Sequence, residues 1–319
     1  MVPLIAVAVR NELVVFKVCG AVEGGSVFIQ QVREALSTIP VLSRRILLDT
    51  PGVAATVPML RGVWGAALHD LDPHVYETVF HPQTQPGNEA SPTYLLRPAP
   101  PDPAFSPAVE WITFGSAIHF DQVLCRAWDI ASGMGLGPQR RRFHLRHVVP
   151  LTPVPGASAI QSSHGGLNQF TAWPLSLACW PLEDCATTPC QIVFRAPLRM
   201  MRRGALIEDP NLCDIVVGMT RRLAAFLPPD WRDRWRDVAR DALALARRIP
   251  SGVWRGGRLD LHRYSAAQQT ELDLRGVLGA FDLPRGPGEL WPLLAAAQWL
   301  HVGKGTILGL GQLSVETIP

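Results

Sequence analysis

Apolar and polar positions along this chain switch repeatedly between a period of two and a period near 3.6, and the switches mark its elements. SRRILLDTPGVA over 43–54 reads as a strand, and MLRGVWGAALHDL from Met59 puts Leu60, Val63, Trp64, Ala67 and Leu68 on one face of a helix. PTYLLRPAP and VEWITFGSAI read as strands, FDQVLCRAWDIAS as a helix that GMGLG breaks, and RRRFHLRHVVPL as a further strand. The order is strand, helix, strand, strand, helix, strand.

The second half repeats it. QIVFRAPLRMM is a strand, PNLCDIVVGMTRRLAAFL a helix, GRLDLHRYS and LRGVLGAFDL strands, ELWPLLAAAQWL a helix and GTILGLGQLSVETI the closing strand. Between them DWRDRWRDVARDALALARRI carries an apolar stripe of Trp231, Trp235, Val238 and Leu245. It predicts an inserted helical hairpin or finger. Its flanking Arg232, Arg234, Arg236, Arg240, Arg247 and Arg248 alternate with aspartates, as on a solvated, salt-bridged face. Residues 156–188 are rich in Gly, Ser, Pro and Thr around Trp173 and Trp180, a connector.

The expected fold is therefore α+β, two tandem ferredoxin-like (RRM-like, βαββαβ) domains with a helical finger inserted in the second. The boundaries fall at 1–155, 156–188 and 189–319. Each sheet is expected to carry helices on one face, leaving sheet faces and an interdomain cleft for a ligand.

Composition narrows the chemistry. With 47% hydrophobic residues in 319, the chain can bury a large core. No apolar run reaches the roughly 18 residues of a membrane helix, so a chain without a membrane partner, in the cytoplasm, is expected. Six scattered cysteines, at 19, 125, 179, 185, 190 and 213, suit a reducing compartment and lack the Cys-x-x-Cys pairs of common zinc sites. No metal is expected. GMGLG lacks the strand–helix setting of a dinucleotide loop and no Gly-Lys-Ser/Thr phosphate loop occurs, so no cofactor is expected either. Net charge is only +3, yet arginines cluster, and local clusters decide whether a surface draws phosphate.

The segment HVGKGTILGLGQLSVE over 301–316 concentrates that chemistry. Gly303, Gly305, Gly309 and Gly311 would let main-chain N–H groups approach phosphate, with Lys304 adding a cation. A helix C-cap followed by a glycine-containing strand would give the same pattern. Arg140, Arg141, Arg142 and Arg146 lie after a glycine break at the start of one strand, and Arg195, Arg199, Arg202 and Arg203 repeat the basic pattern on the opening strand of the second unit. Either group suits a phosphate track or a solvated basic edge.

HVGKGTILGLG, with HRYSAAQQTELDLRGVLGAF and ELWPLLAAAQWL upstream and FGSAIHFDQ, GMGLGPQRRRF and LRGVWGAAL in the first unit, resembles the CRISPR precursor-RNA processing endoribonucleases of the RAMP superfamily. The likeness spans about 43–150 and 190–319; the first 42 residues and the connector lie outside it. It implies metal-independent cleavage, in which an RNA 2′-hydroxyl attacks the adjacent phosphorus and leaves a 2′,3′-cyclic phosphate. It also implies retention of the product's 3′ hairpin, with crRNA and other CRISPR effector subunits as partners.

Such chemistry needs proton transfer and charge stabilisation. Histidine titrates in the useful range. His301 stands first because it adjoins the glycine loop; His69 follows because family members draw their histidine from the first domain. His119 and His144 rank behind. Lys304, Arg142 or Arg263 could neutralise the phosphorane, and Tyr264 beside Arg263 is the candidate for base stacking or a catalytic contact. The competing reading is a catalytically silent RAMP subunit that binds or caps crRNA with the same loop and arginines.

Overall fold

A computed structural model of the chain describes residues 4–9, 12–17, 26–50, 55–81, 93–99, 108–137, 139–151, 175–179, 186–260, 262–265 and 270–318. Strands β1 (Leu4–Val9) and β2 (Glu12–Lys17) form an antiparallel hairpin ahead of helix α1 (Val27–Ser37). The first βαββαβ unit follows: β3 (Pro40–Asp49), α2 (Val57–Leu71) with α3 (Pro73–Phe80), β4 (Tyr94–Pro98), β5 (Ala108–Phe114), α4 (Asp121–Met134) and β6 (His144–Pro150). Its strands lie antiparallel in the order β4-β5-β3-β6, with the short β7 (Leu175–Ser176) also pairing with β3.

The second unit contains β8 (Cys190–Phe194), the small ribbon of β9 (Met201–Arg202) and β10 (Ala205–Leu206), α5 (Leu212–Ala224) and α6 (Arg232–Arg248). It continues through β11 (Arg255–Leu259), the hairpin of β12 (His262–Ser265) and β13 (Thr270–Asp273), then β14 (Gly276–Leu283), α7 (Trp291–Leu300) and β15 (Leu313–Thr317). Its sheet runs β11-β14-β8-β15, the same permutation as the first. Both units are ferredoxin-like, as the alternating periods imply.

The expectation of one-sided sheets is corrected in the first unit. All seven residues of β5, AVEWITF, are buried or nearly so, because both faces of that sheet are covered. On the outer face Tyr94, Leu96, Trp111 and Val148 pack against Leu60, Trp64 and Leu68 of α2 and Leu124 and Trp128 of α4. Trp64 stacks on Trp128 at 5.3 Å and meets Trp111 edge-on at 5.6 Å. On the inner face Val41, Leu95, Ile112 and Phe114 share one core with α1, α5, α6 and α7. Helices of the second unit thus serve both sheets, and strands buried on two faces lose the strict alternation a one-sided sheet would show.

The arginine-rich insertion is corrected too. It is a single helix, α6, and its inward residues Trp235, Val238, Ala242 and Ala246 recur at helical spacing and join the shared core. The Trp235 indole N–H donates to the Thr220 carbonyl at 2.9 Å. Outward, Arg236–Asp233 and Arg240–Asp237 pair one turn apart, as the alternating charges predict.

Four charged side chains of the first sheet are matched rather than misplaced. Arg44, 1% exposed, makes two parallel bonds of 2.6 and 2.7 Å to Asp121 and lies over Trp111. One residue along, on the opposite face, Arg45 and Arg97 both bind Glu110, at 2.7 and 2.6 Å. Arg97 also donates to the Gln298 carbonyl and covers the Trp299 ring of α7. A buried carboxylate with two cationic partners avoids the large cost of an unpaired buried charge.

Candidate nucleic-acid interface

The segment between α7 and β15 is a glycine loop folded onto its own protein. Gly303 and Gly311 have φ of 88° and 69°, where side chains strain the backbone. A Cβ at Gly303 would stand 2.6 Å from the Arg199 carbonyl oxygen, and one at Gly311 only 1.8 Å from that of Val302. The glycines are thus required by internal packing. The amides of Lys304, Leu308, Gly309, Leu310 and Gly311 donate to carbonyls of Arg199, Gly305, Thr306, Gly305 and Pro197. Only part of the loop's N–H set is left to meet a phosphate. Lys304 is exposed at the apex, and Gly305 adjoins it with its own left-handed φ of 75°.

The loop also joins the units. A Cβ at Gly309 would lie 3.2 Å from Val57, in the first turn of α2, and Ile307 packs on the outer core of the first unit. A Cβ at Gly137, in the turn after α4, would lie 3.6 Å from the Met59 methyl of the same helix. The contacts Gly137–Met59, Val57–Gly309 and Gly303–Arg199 therefore string together the arginine turn, the start of α2, the loop and the segment after β8. Arg140, Arg141 and Arg142 are exposed on that turn, and Arg140 has φ of 49°. They precede β6 instead of lying in it. Along β6 the register shifts by one residue, so that Leu47 faces His147 and Leu48 faces Leu145. The extra residue is Arg146, which is exposed and binds Asp49 at 2.9 Å.

The arginines after β8 are largely engaged. Arg195 bonds Ser314 and Glu316, Arg202 bonds Asp214, Arg199 gives its carbonyl to the loop, and Arg203 is exposed with φ of 51°. Arg263 and Tyr264 lie on β12, opposite Leu272 and Glu271, and their side chains are outside the described residues.

The two leading histidines occupy opposite environments. His301 is 0% exposed, with φ of 57°, and its ring Nδ1–H donates to the Leu310 carbonyl at 3.1 Å. Burial, with the cations of Arg97 and Arg222 nearby, holds its pKa well below the ordinary histidine value. Closed to solvent in this conformation, it does not present its ring to a ligand. His69 is 58% exposed at the last turn of α2, 3.6 Å from Asp70 and edge-on to Tyr76 at 5.1 Å. It stands twelve residues from Val57 along a helix, roughly 18 Å at the usual rise. The structure therefore brings Lys304 and the arginine turn to one end of α2 and His69 to the other. His119 and His144 are exposed, on the segment before α4 and on β6.

Sequence reasoning missed the buried polar set beneath the loop: Arg97, Glu110 and Arg222, the last donating to Thr306 Oγ1. A signal existed for Arg97, an arginine inside the apolar run YLLRP. Arg222 lay unmarked among helix arginines. Cys125, Cys190 and Cys213 are free thiols, and burial pushes Cys125 up to about 12. Among the described residues no His, Cys, Asp or Glu group of three or more could hold a metal, and no helix is long and apolar enough to cross a membrane.

Residues 192–313, which run from within β8 to the start of β15 and contain α5, α7 and the whole glycine loop, match the family model of the CRISPR-associated endoribonuclease Cas6. The match lies within the second unit. Solved Cas6 structures share the fold. A Cas6 (TTHB231) product complex is 16% identical, covering 86% of this chain and 99% of its own, with a TM-score of 0.55. A Cas6 (TTHA0078) product complex is 19% identical over 87% and 100%, with a TM-score of 0.51. Thermus thermophilus Cas6 (TTHB231) gives 14%, 87% and 98%, with a TM-score of 0.50. At such identities the likeness is one of tandem ferredoxin-like architecture, placed on this chain in the same order. No curated protein sequence matches the chain.

Proposed function

We propose that this chain acts as a Cas6-type endoribonuclease, cutting CRISPR repeat RNA without a metal ion and keeping the 3′ hairpin of its product. The observation that carries the reading is the run of contacts along α2. It joins the exposed arginine turn 140–142 to the loop that displays Lys304, across both units. A basic strip of that kind grips an RNA backbone by charge and shape. Lys304, Arg140, Arg141, Arg142 and Arg203 bind phosphates; Arg146, Arg195, Arg199 and Arg202 shape the surface from their present ion pairs and main-chain contacts.

His69, exposed at the far end of the same helix, serves as the acid–base group, removing the 2′-hydroxyl proton as the oxygen attacks phosphorus. The P–O5′ bond breaks and the leaving oxygen takes up a proton, giving 2′,3′-cyclic phosphate and 5′-hydroxyl ends. Incubation of purified protein with candidate repeat RNA in EDTA tests this. Cyclic-phosphate product is expected, and His69→Ala should lower the cleavage rate about 10²- to 10⁴-fold, the usual worth of a positioned acid–base group, with RNA binding kept.

The silent-subunit reading draws on a separate observation: no described histidine is both exposed and adjacent to the glycine loop. Tight binding with no cut under any condition, metal ions included, would establish that alternative.

A further inference from the structure

His301 is the one charged or titratable side chain of the loop segment that is fully buried, and the proposed acid–base chemistry leaves it unused. Its position is costly. A non-glycine residue is held at φ of 57°, and its Nε2 has no hydrogen-bond partner among the described residues. A site that keeps such a residue gains something in exchange.

Geometry shows what it gains. The ring reaches from the end of α7 across nine residues to the Leu310 carbonyl, while the Val302 N–H donates to Gly311 at 3.0 Å beside it. Leu310 N–H donates in turn to Gly305, and Arg222 holds Thr306 from beneath. A carbonyl can only accept, so Nδ1 carries the proton and the ring has one fixed tautomer. These bonds close the loop at its base and leave Lys304 at its exposed apex. A lysine on a four-carbon stem is placed only as well as its main chain is placed. A loop ordered beforehand spares the ordering cost at binding.

We propose that His301 is a positioning residue: by tying the end of α7 to Leu310 it pre-forms the glycine loop that presents Lys304 to the RNA backbone. This rests on the reading of the loop as an RNA-binding element. His301 is then neither a proton donor nor a phosphate ligand.

The test uses the full chain carrying His301→Phe, which keeps ring volume and removes the bond, and Thr306→Val, which removes only the contact from Arg222. Three quantities are read on protein shown to be folded: the Kd for repeat RNA, the cleavage rate at saturating RNA over about pH 5.5 to about 8.5, and amide hydrogen exchange over 302–311. His301→Phe is expected to weaken binding about 10-fold, the scale of one newly ordered segment. Exchange at Lys304 and Gly311 should quicken, with the saturating rate and its pH profile unchanged. Thr306→Val should move Kd the same way by a smaller factor, and decides the matter if the phenylalanine variant does not fold.

Unchanged Kd with quickened exchange overturns the proposal. So does a lost saturating rate with a shifted pH profile, which would make His301 a proton-transfer group. Wild-type protein that binds no repeat RNA instead overturns the RNA reading beneath it, an outcome seen before any variant is made.

Discussion

At the scale of single residues, burial rather than sequence position sorts the histidines and the cations. His301 is neutral in the fold because charging it there would cost desolvation beside Arg97 and Arg222. In the unfolded chain it protonates below the ordinary value of about 6.5. The unfolded state therefore binds more protons once pH falls below that value, and stability drops until the folded-state pKa is passed. A slope of up to about 1.4 kcal/mol per pH unit is expected for one proton. Urea titrations from neutral to acidic pH should show it in the wild type and its reduction in His301→Asn, whose short side chain tolerates the left-handed backbone. Equal acid sensitivity of the two would mean the ring is not buried neutral. Lys304 offers the opposite case, an exposed cation whose loss costs no stability. Lys304→Ala should leave the Tm unchanged and lower the slope of log Kd against log salt by about 0.7 to 0.9, one phosphate contact. An unaltered slope would remove Lys304 from the RNA surface.

At the scale of elements, the periodicities located α2, α4, α5, α7 and the strands of both sheets, since each buries a face and a face leaves a period. They failed on α6. The pattern there predicts an inserted helical hairpin or finger, but Trp235, Val238, Ala242 and Ala246 hold that helix against α5 and α1. Replacing Trp235 with Ala should cost about 3 to 5 kcal/mol through the cavity left and the loss of the bond to Thr220. Arg240→Ala breaks only an exposed pair and should change stability by less than about 1 kcal/mol. Chemical denaturation of both variants checks the contrast. The glycine loop was legible as a special segment, yet its cause was not. Pattern alone cannot tell a backbone that approaches phosphate from one that approaches Arg199 and Val302, because glycine answers both needs. Nor could sequence reveal that His301, one residue before Val302, turns inward, since that depends on the left-handed backbone at the helix end.

At the scale of the whole molecule, two ferredoxin-like units share one core. Phe28 and Val32 of α1, Leu95 and Ile112 of the first sheet and Leu293 of α7 belong to the same buried cluster. Tandem repetition was plain from the sequence; the shared core was not, because a residue buried by another unit looks the same as one buried by its own. Units so joined should unfold together. Calorimetry is expected to give a single transition, and an isolated 189–319 fragment should lack fixed tertiary packing by near-ultraviolet circular dichroism. Two separated transitions would show independent domains.

The doubly covered first sheet has a consequence for the nascent chain. On a ribosome the strands β3 to β6 can pair as soon as they emerge, with α1 alone made early enough to lie on their inner face; α5, α6 and α7 follow more than sixty residues after Pro150. For that interval Val41, Leu95, Ile112 and Phe114 belong to an incompletely covered apolar face that bears the Arg45–Glu110–Arg97 ion group. That group, of which Arg97 and Glu110 end buried, should keep the waiting surface partly wetted while translation proceeds.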